Sequence, residues 1–272
     1  MDYIQDIEKL SYKKVKEIID DIDYENDFNN ASFQKLVEKL KADKRKNIIS
    51  LGDKMLREKE KLEKEMQRIK NMYSFDKAFS KSHLIAGVDE VGRGPLAGPI
   101  VACAVILDLN VLDDEIILGL NDSKKVPQKK RKELAEIIKK KAIAYFISEK
   151  SNKDIDEKGI AYCNNQIFLD SCYNLKVKPD LILSDGYLIK GIKIPNKYVI
   201  KGDSKSASIA AASILAKVYR DDLMKEYAKK YPDYNFEDNV GYGTKKHIEG
   251  ISKVGICDIH RKSFLNNILN NL

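Results

Sequence analysis

"LIAGVDEVGRGPLAGPIVACAVIL", Leu84–Leu107, sets two apolar, β-branched runs on either side of a turn rich in glycine and proline. Runs of that length, punctuated in that way, read as two neighbouring strands. The first ends in adjacent carboxylates, Asp89 and Glu90. Adjacent strand residues point to opposite faces, so both acids serve one site only if the strand bends there. Gly92 and Gly94 permit such a bend, and Pro95 and Pro99 fix the path onward. A backbone covered this thinly can offer N–H and C=O groups to a ligand, with Arg93 placed to meet phosphate or fold back onto a carboxylate. A dinucleotide-binding turn is the rival reading. Its third glycine would fall one place before Gly98, and a helix would follow where "PIVACAV" reads as a strand.

Working outward, "PQKKRKELAEIIKKKA" is an amphipathic helix opened by Pro127, where a missing N–H costs least. "IAYFISEK" reads as a strand and "GIAYCNNQIFLDSCYNL" as a helix. "PDLILSDG" is a buried strand ending on Asp185, and "KYVIKGD" another ending on Asp203. "SASIAAASILAKVYRDDLMKEYAKKY" is a long helix that begins with small residues. The expectation is an α/β fold with a mixed sheet flanked by helices over residues 81–272.

Residues 1–80 read differently, as a small all-helical module. The first 75 residues hold one glycine, Gly52, and no proline. Ser11 is a candidate N-cap for a helix bearing Val15, Ile18, Ile19 and Ile22 on one stripe. Ile48, Met55, Leu62 and Ile69 recur every seven residues, giving a second helix with one apolar seam. The first 75 residues carry a net charge of +1 and the rest +6, so the basic excess lies with the acid pair. The module is therefore expected to add stability by packing on the core, and a chain begun near Ser82 to fold and work alone.

Composition limits the chemistry. Hydrophobic residues make up 43% of the chain and charged ones 33%, and no apolar run approaches the roughly 18 residues a membrane helix needs. The start "MDYIQDIEKL" shows no leader pattern, so the expectation is a cytoplasmic protein that engages no membrane. Cys103, Cys163, Cys172 and Cys257 form no CxxC pair, which favours buried reduced thiols. Three histidines, with no HExxH, leave carboxylates as the groups for hydrolysis. A net charge of +7 and a pI near 8.9 suit a polyanionic partner.

Three strands thus finish in acid: Asp89 with Glu90, Asp185, and Asp203. Any one could be a turn former or a cap. Together they make the hard-oxygen environment that suits Mg²⁺ or Mn²⁺, and a divalent ion relieves their mutual repulsion. Two such ions can activate water and stabilise the leaving oxygen of a phosphodiester.

"GVDEVGRGPLAGPIVACAV", "NDSKKV", "KPDLILSDG", "KGDSKSASIAAASILAKVYRD" and "YPDYNFEDNVGYGTKKH" occur in that order and together resemble the signature blocks of bacterial ribonuclease HII. The resemblance covers about residues 84–264. It favours HII over ribonuclease HIII, which usually carries a different glycine motif, with lysine common in place of Arg93. It implies a ribonuclease H-like fold and an endoribonuclease that cuts the RNA strand of RNA/DNA hybrids. It also implies nicking of DNA duplexes 5′ of embedded ribonucleotides, leaving 5′-phosphate and 3′-hydroxyl ends. By the same resemblance Asp89, Glu90, Asp185 and Asp203 hold metal, Mn²⁺ or Mg²⁺, as two ions with substrate bound. Gly92, Arg93 and Gly94 are then expected to read a ribonucleotide 2′-OH, the group that separates RNA from DNA.

Tyr242 matches the tyrosine that packs on the sugar at the RNA-to-DNA junction; on its residues alone it could be core packing. Lys124 and Lys125 either bind phosphate or line a solvated loop. Lys205 and Ser208, beside Asp203 near a helix start, sit where N–H groups favour an anion. Lys217 is a weaker candidate. The chain is expected to act as a monomer. A nucleic-acid-binding protein of the same fold without catalysis is the competing class, and the intact carboxylates argue against it.

Overall fold

The computed structural model describes residues 7–28, 30–79, 84–113 and 115–269. Two compact units divide at Arg68/Ile69. The first holds α1 (Tyr12–Asp20), α2 (Tyr24–Asp27), α3 (Ala31–Ala42) and most of α4 (Lys46–Lys77). Ser11 caps α1 by accepting from the Lys14 N–H, as its residue type implies. Val15, Ile19, Leu36, Leu40, Ile48 and Met55 pack together as this unit's core.

The second unit contains a five-stranded sheet: β1 (Ile85–Val91), β2 (Ile100–Leu107), β3 (Ala142–Lys150), β4 (Leu181–Asp185) and β5 (Asn196–Val199), in the order β3-β2-β1-β4-β5. β1 pairs antiparallel with β2, and β2 with β3, whereas β1, β4 and β5 run parallel. Its helices are α5 (Gln128–Lys141), α6 (Asn152–Lys158), α7 (Ile160–Tyr173), α8 (Ala207–Lys230), α9 (Phe236–Asn239), α10 (Lys245–Val254) and α11 (Lys262–Leu269). Among the described residues no helix is long and apolar enough to cross a membrane.

Alternation along the strands sorts the core into two layers. Ile85, Val101, Cys103 and Val105 face α8 and α5, while Ala86, Val88, Ala102 and Ala104 face α7. The small residues that open α8 let it lie very close to the sheet. A Cβ built on Gly87 would stand 2.1 Å from the Ser208 carbonyl carbon, so any side chain there would push the helix away.

The seam of α4 is shared out. Ile48 and Met55 belong to the first unit's core, and Ile69, with Met72 and Tyr73, to the layer under α8. Heptad spacing located the apolar face but not the change of partner along it. Farther on, Asp76 is fully buried and its Oδ2 accepts the Ser208 N–H at 2.8 Å, closing a free donor at the start of α8.

Burial pushes the Asp76 carboxyl up to about 6, against the pull of the donors from Ser206, Ser208 and Ala207. The folded state therefore holds this proton more tightly than the unfolded chain does. Its contribution favours folding most below about pH 4 and is lost as the pH rises through about 6. Asp76→Asn keeps an acceptor for Ser208 and has no charge to bury. Between pH 4.5 and 7 the parent should lose about 2 kcal/mol relative to this variant. Denaturant midpoints at the two pH values test this, and parallel stability profiles would refute it.

Candidate active site

β4 ends at Asp185 alongside β1, Val88 registering with Ser184, so Asp89 and Asp185 lie at the same level. Ligands of open α/β sheets bind beyond these carboxyl ends. The β1–β2 ladder runs without a break through Asp89, Glu90 and Val91. This corrects the expected bend at the acid pair: the turn comes later, at Gly92, with φ +94°. Asp89 instead points to the α8 side, within reach of Ser213, and Glu90 to the other, within reach of Tyr187. Asp185, at the end of the neighbouring strand, acts electrostatically on both. No bend is needed because β4 stops at Asp185, leaving that carboxylate within electrostatic reach of both acids.

Asp89 is 7% exposed and its carboxyl lies well above the usual range, first through burial and then through the charges of Glu90 and Asp185. Glu90 is raised by burial and by Asp185, while Tyr187 and Arg93 pull it down. Asp203 is raised by burial, then by Asp185 and Asp122, with Lys124 and Lys125 opposing. Asp203 does not end a strand. β5 stops at Val199, Lys201 turns left-handed at φ 56°, and Asp203 sits in the short turn Gly202–Ser204. That turn is fastened to the site by the Gly202 N–H, which donates to Asp185 Oδ1 at 2.7 Å.

Among the described residues no three His, Cys, Asp or Glu side chains close up into a ready metal cluster. The donor set nevertheless suits a hard divalent cation: four carboxylates, three of them pushed up by burial and then by the charge of the fourth, Asp185. Neutralising that repulsion is what such an ion does.

The glycine loop lies alongside. Arg93 is exposed, 3.7 Å from Glu90 and with its guanidinium 5.3 Å from the Tyr187 ring centroid. Gly92 has no room for a side chain, since a Cβ there would stand 2.3 Å from Arg220 Nε. A Cβ on Gly94 would lie 3.7 Å from the Tyr242 ring, so loop and tyrosine are neighbours. Tyr242 is 43% exposed, which settles against core packing.

Lys124 stands in a loop fixed by the Ser123 hydroxyl, which accepts from Ser213 at 3.0 Å. Lys205 is exposed after the Asp203 turn. Ser208 lies apart. It is fully buried with its N–H held by Asp76, so its place is structural support of α8 and not phosphate contact. Lys217 is engaged with Asp221 at 2.7 Å.

Two residues that motif reading passed over hold the loop in shape. Arg220 donates to the carbonyls of Pro99, Ala97 and Val240. Arg261 donates to those of Gly92, Arg93, Gly98 and Pro99. Burial lowers Arg220 to about 10 and, with the Arg220 charge beside it, Arg261 to about 9. No local signal marks either in the sequence: Arg220 stands before Asp221 and Asp222, and Arg261 between His260 and Lys262.

The profile of the family Ribonuclease HII matches residues 86–267, and that of the Ribonuclease HII N-terminal domain matches 13–80. The chain belongs to the ribonuclease HII family. It is an endoribonuclease of the ribonuclease H type, a phosphodiester hydrolase. A ribonuclease HII from Clostridium beijerinckii is 62% identical over 265 residues, covering 97% of this chain and 98% of its own. One from Clostridium perfringens is 57% identical, with 98% of each chain covered. Among solved structures, ribonuclease H2 from Pyrococcus horikoshii superposes with a TM-score of 0.60 at 25% identity, over 69% of this chain and 97% of its own. A ribonuclease HIII described in complex with Mn²⁺ shares the fold at a TM-score of 0.53 and 20% identity, over 69% of each chain.

Proposed function

We propose that this ribonuclease HII is a divalent-metal-dependent enzyme that cleaves the RNA strand of RNA/DNA hybrids. We also propose that it nicks DNA duplexes 5′ of embedded ribonucleotides, leaving 5′-phosphate and 3′-hydroxyl ends. The observation that carries this reading is the gathering of Asp89, Glu90 and Asp185, in which burial and then the charges of Glu90 and Asp185 raise Asp89, and burial and then Asp185 raise Glu90, with the Gly92–Gly94 backbone and an exposed Tyr242 beside them. Asp89, Glu90, Asp185 and Asp203 would hold Mg²⁺ or Mn²⁺, as two ions once substrate is present; the HIII relative's Mn²⁺ complex supports the choice of ion. Bound there, the cations would supply an activated water and charge opposite the leaving oxygen.

The chain's own groups do the rest. Gly92 and Gly94 present backbone to a 2′-OH, Arg93 and Lys124 meet flanking phosphates, and Lys205 extends the same basic rim. Tyr242 stacks on the sugar at the junction between RNA and DNA. The enzyme acts as a monomer in the cytoplasm, a compartment that suits four free thiols. The division into a helical module over 1–80 and a catalytic domain over 81–272 is part of the same proposal, with the last turns of α4 counted with the catalytic core on packing grounds.

A duplex carrying one ribonucleotide tests the reading directly. Nicking on its 5′ side is expected with Mg²⁺ or Mn²⁺ and none in chelator; equal cleavage in chelator, or no cleavage of any ribonucleotide-containing duplex, would overturn it. Tyr242→Ala should slow this nicking roughly ten- to hundredfold, since a stacking contact contributes about 1–3 kcal/mol. Long hybrids should suffer less and the melting temperature barely change. Unaltered rates on both substrates would make the tyrosine structural.

A further inference from the structure

Tyr242 does not stand by itself. Its carbonyl oxygen lies 2.9 Å from His247 Nδ1, and His247 Nε2 lies 3.0 Å from His260 Nε2. His260 Nδ1 in turn receives the backbone N–H of Cys257 at 2.9 Å, with the Cys257 thiol 3.1 Å away. Both imidazoles are buried, at 0% and 1% exposure. Tyr234 and Phe236 hold them in place, the Tyr234 ring 4.9 Å from His260 and the Phe236 ring 5.1 Å from His247, both nearly edge-on.

These partners leave one arrangement of protons. A carbonyl only accepts, so His247 Nδ1 carries hydrogen. A backbone N–H only donates, so His260 Nδ1 is bare. Each neutral ring has a single ring proton, which leaves His247 Nε2 bare and puts the His260 proton on Nε2. The contact between the rings is then a hydrogen bond from His260 to His247. The relay runs one way: Cys257 N–H to His260, His260 to His247, His247 to the Tyr242 carbonyl. Burial favours the neutral forms, lowering His247 and bringing His260 down to about 4. An extra proton on either ring would set two donors against each other.

The origin of the relay matters as much as its end. His260 is followed by Arg261, whose guanidinium holds the Gly92 and Arg93 carbonyls. Around them the Arg261 N–H donates to Leu96 O, the Gly98 N–H to Ile259 O, and the Leu96 N–H to Gly241 O. One segment, Cys257–Arg261, thus fixes the glycine loop through its arginine and the tyrosine loop through its histidine. The separation between Gly94 and the Tyr242 ring follows from that shared anchor.

We propose that His247 and His260 are positioning residues, a neutral tautomer-locked pair that sets Tyr242 against the Gly92–Gly94 loop and so determines selectivity for the RNA-to-DNA junction. The proposal rests on the stacking role assigned to Tyr242. Neither histidine touches substrate.

Two experiments test it on the full chain. Ring ¹⁵N shifts of the parent protein should report His247 as the Nδ1–H tautomer and His260 as Nε2–H, both neutral from pH 6 to 8. The opposite tautomer at His247, or an imidazolium at either position at pH 7, overturns the relay. For function, His247→Asn places an amide N–H near the former Nδ1 and keeps the donor to Tyr242, whereas His247→Gln reaches only toward His260. The asparagine variant should nick the single-ribonucleotide duplex within about threefold of the parent. The glutamine variant should lose about tenfold on that substrate and much less on a long hybrid, at similar melting temperature for the two variants.

Equal behaviour of the two folded variants overturns the proposal. If both unfold, the tautomers of the parent decide it. Failure of the underlying reading looks different: Tyr242→Ala then leaves nicking unchanged whatever the tautomers show. A parent-like His247→Gln in a protein impaired by Tyr242→Ala removes the relay alone.

Discussion

Asp89→Asn should lower cleavage by at least about 10³-fold, close to 4 kcal/mol of transition-state stabilisation, while raising the melting temperature of the metal-free protein. Both effects come from one carboxylate. It is buried beside Glu90 and Asp185, and that burial, then their charges, holds its pKa well above the usual range. The amide removes that repulsion yet still accepts the Glu90 N–H, which meets Asp89 Oδ1 at 2.7 Å. Stability therefore rises, by about 2–4 °C for each kcal/mol relieved in a domain of this size. Activity falls because a ligand charge is gone where the reaction requires it. Turnover in saturating Mg²⁺ and a thermal melt in chelator measure the two halves. Near-parental turnover would remove Asp89 from the site, and a lowered melting temperature would contradict the electrostatics described above.

Deleting residues 1–81 should leave a chain that does not fold stably, in contrast to the expectation from sequence. The cut removes Ile69, Met72 and Tyr73 from the layer under α8, and with them Asp76 from the start of that helix. Each large apolar side chain contributes about 1.5–3 kcal/mol and a lost cap about 1. The loss is comparable with the whole stability of a typical domain, about 5–15 kcal/mol. A chain begun at Glu65, one turn before Ile69, keeps all four groups and should stay soluble and active. Circular dichroism melts and nicking assays on the two chains make the comparison. A cooperative melt from the shorter chain at the full-length temperature would show that the end of α4 is dispensable.

The sequence carried the fold's order of strands and helices because local rules agreed with one another. Alternating apolar residues marked β1 and β2, Ser11 marked the start of α1, and small residues marked the close packing of α8. That Asp89, Glu90, Asp185 and Asp203 lie within electrostatic reach of one another was legible because each follows an apolar, strand-like run. What escaped were features decided by distant contacts. The partner change along α4 lies in tertiary packing that a heptad pattern does not encode. Asp203 moved from a strand end to a turn because a left-handed Lys201 ends β5 early. Ser208 had the right residue type near a helix start, but Gly87 draws that helix onto the sheet and buries it. Arg220, Arg261 and the paired histidines act through carbonyls far away in sequence, so no local motif announces them.

The two arginines also bear on how the substrate is met. Their donors are spent on carbonyls of Gly92, Arg93, Ala97, Gly98, Pro99 and Val240, so the loop has its final course in the free protein. A recognition loop already ordered loses little conformational freedom on association, which spares roughly 0.5–1.5 kcal/mol for each side chain that would otherwise be immobilised. It also has no slow rearrangement to complete after encounter. Under the proposed function, correct and incorrect duplexes would then arrive at similar rates and be separated by how long they stay.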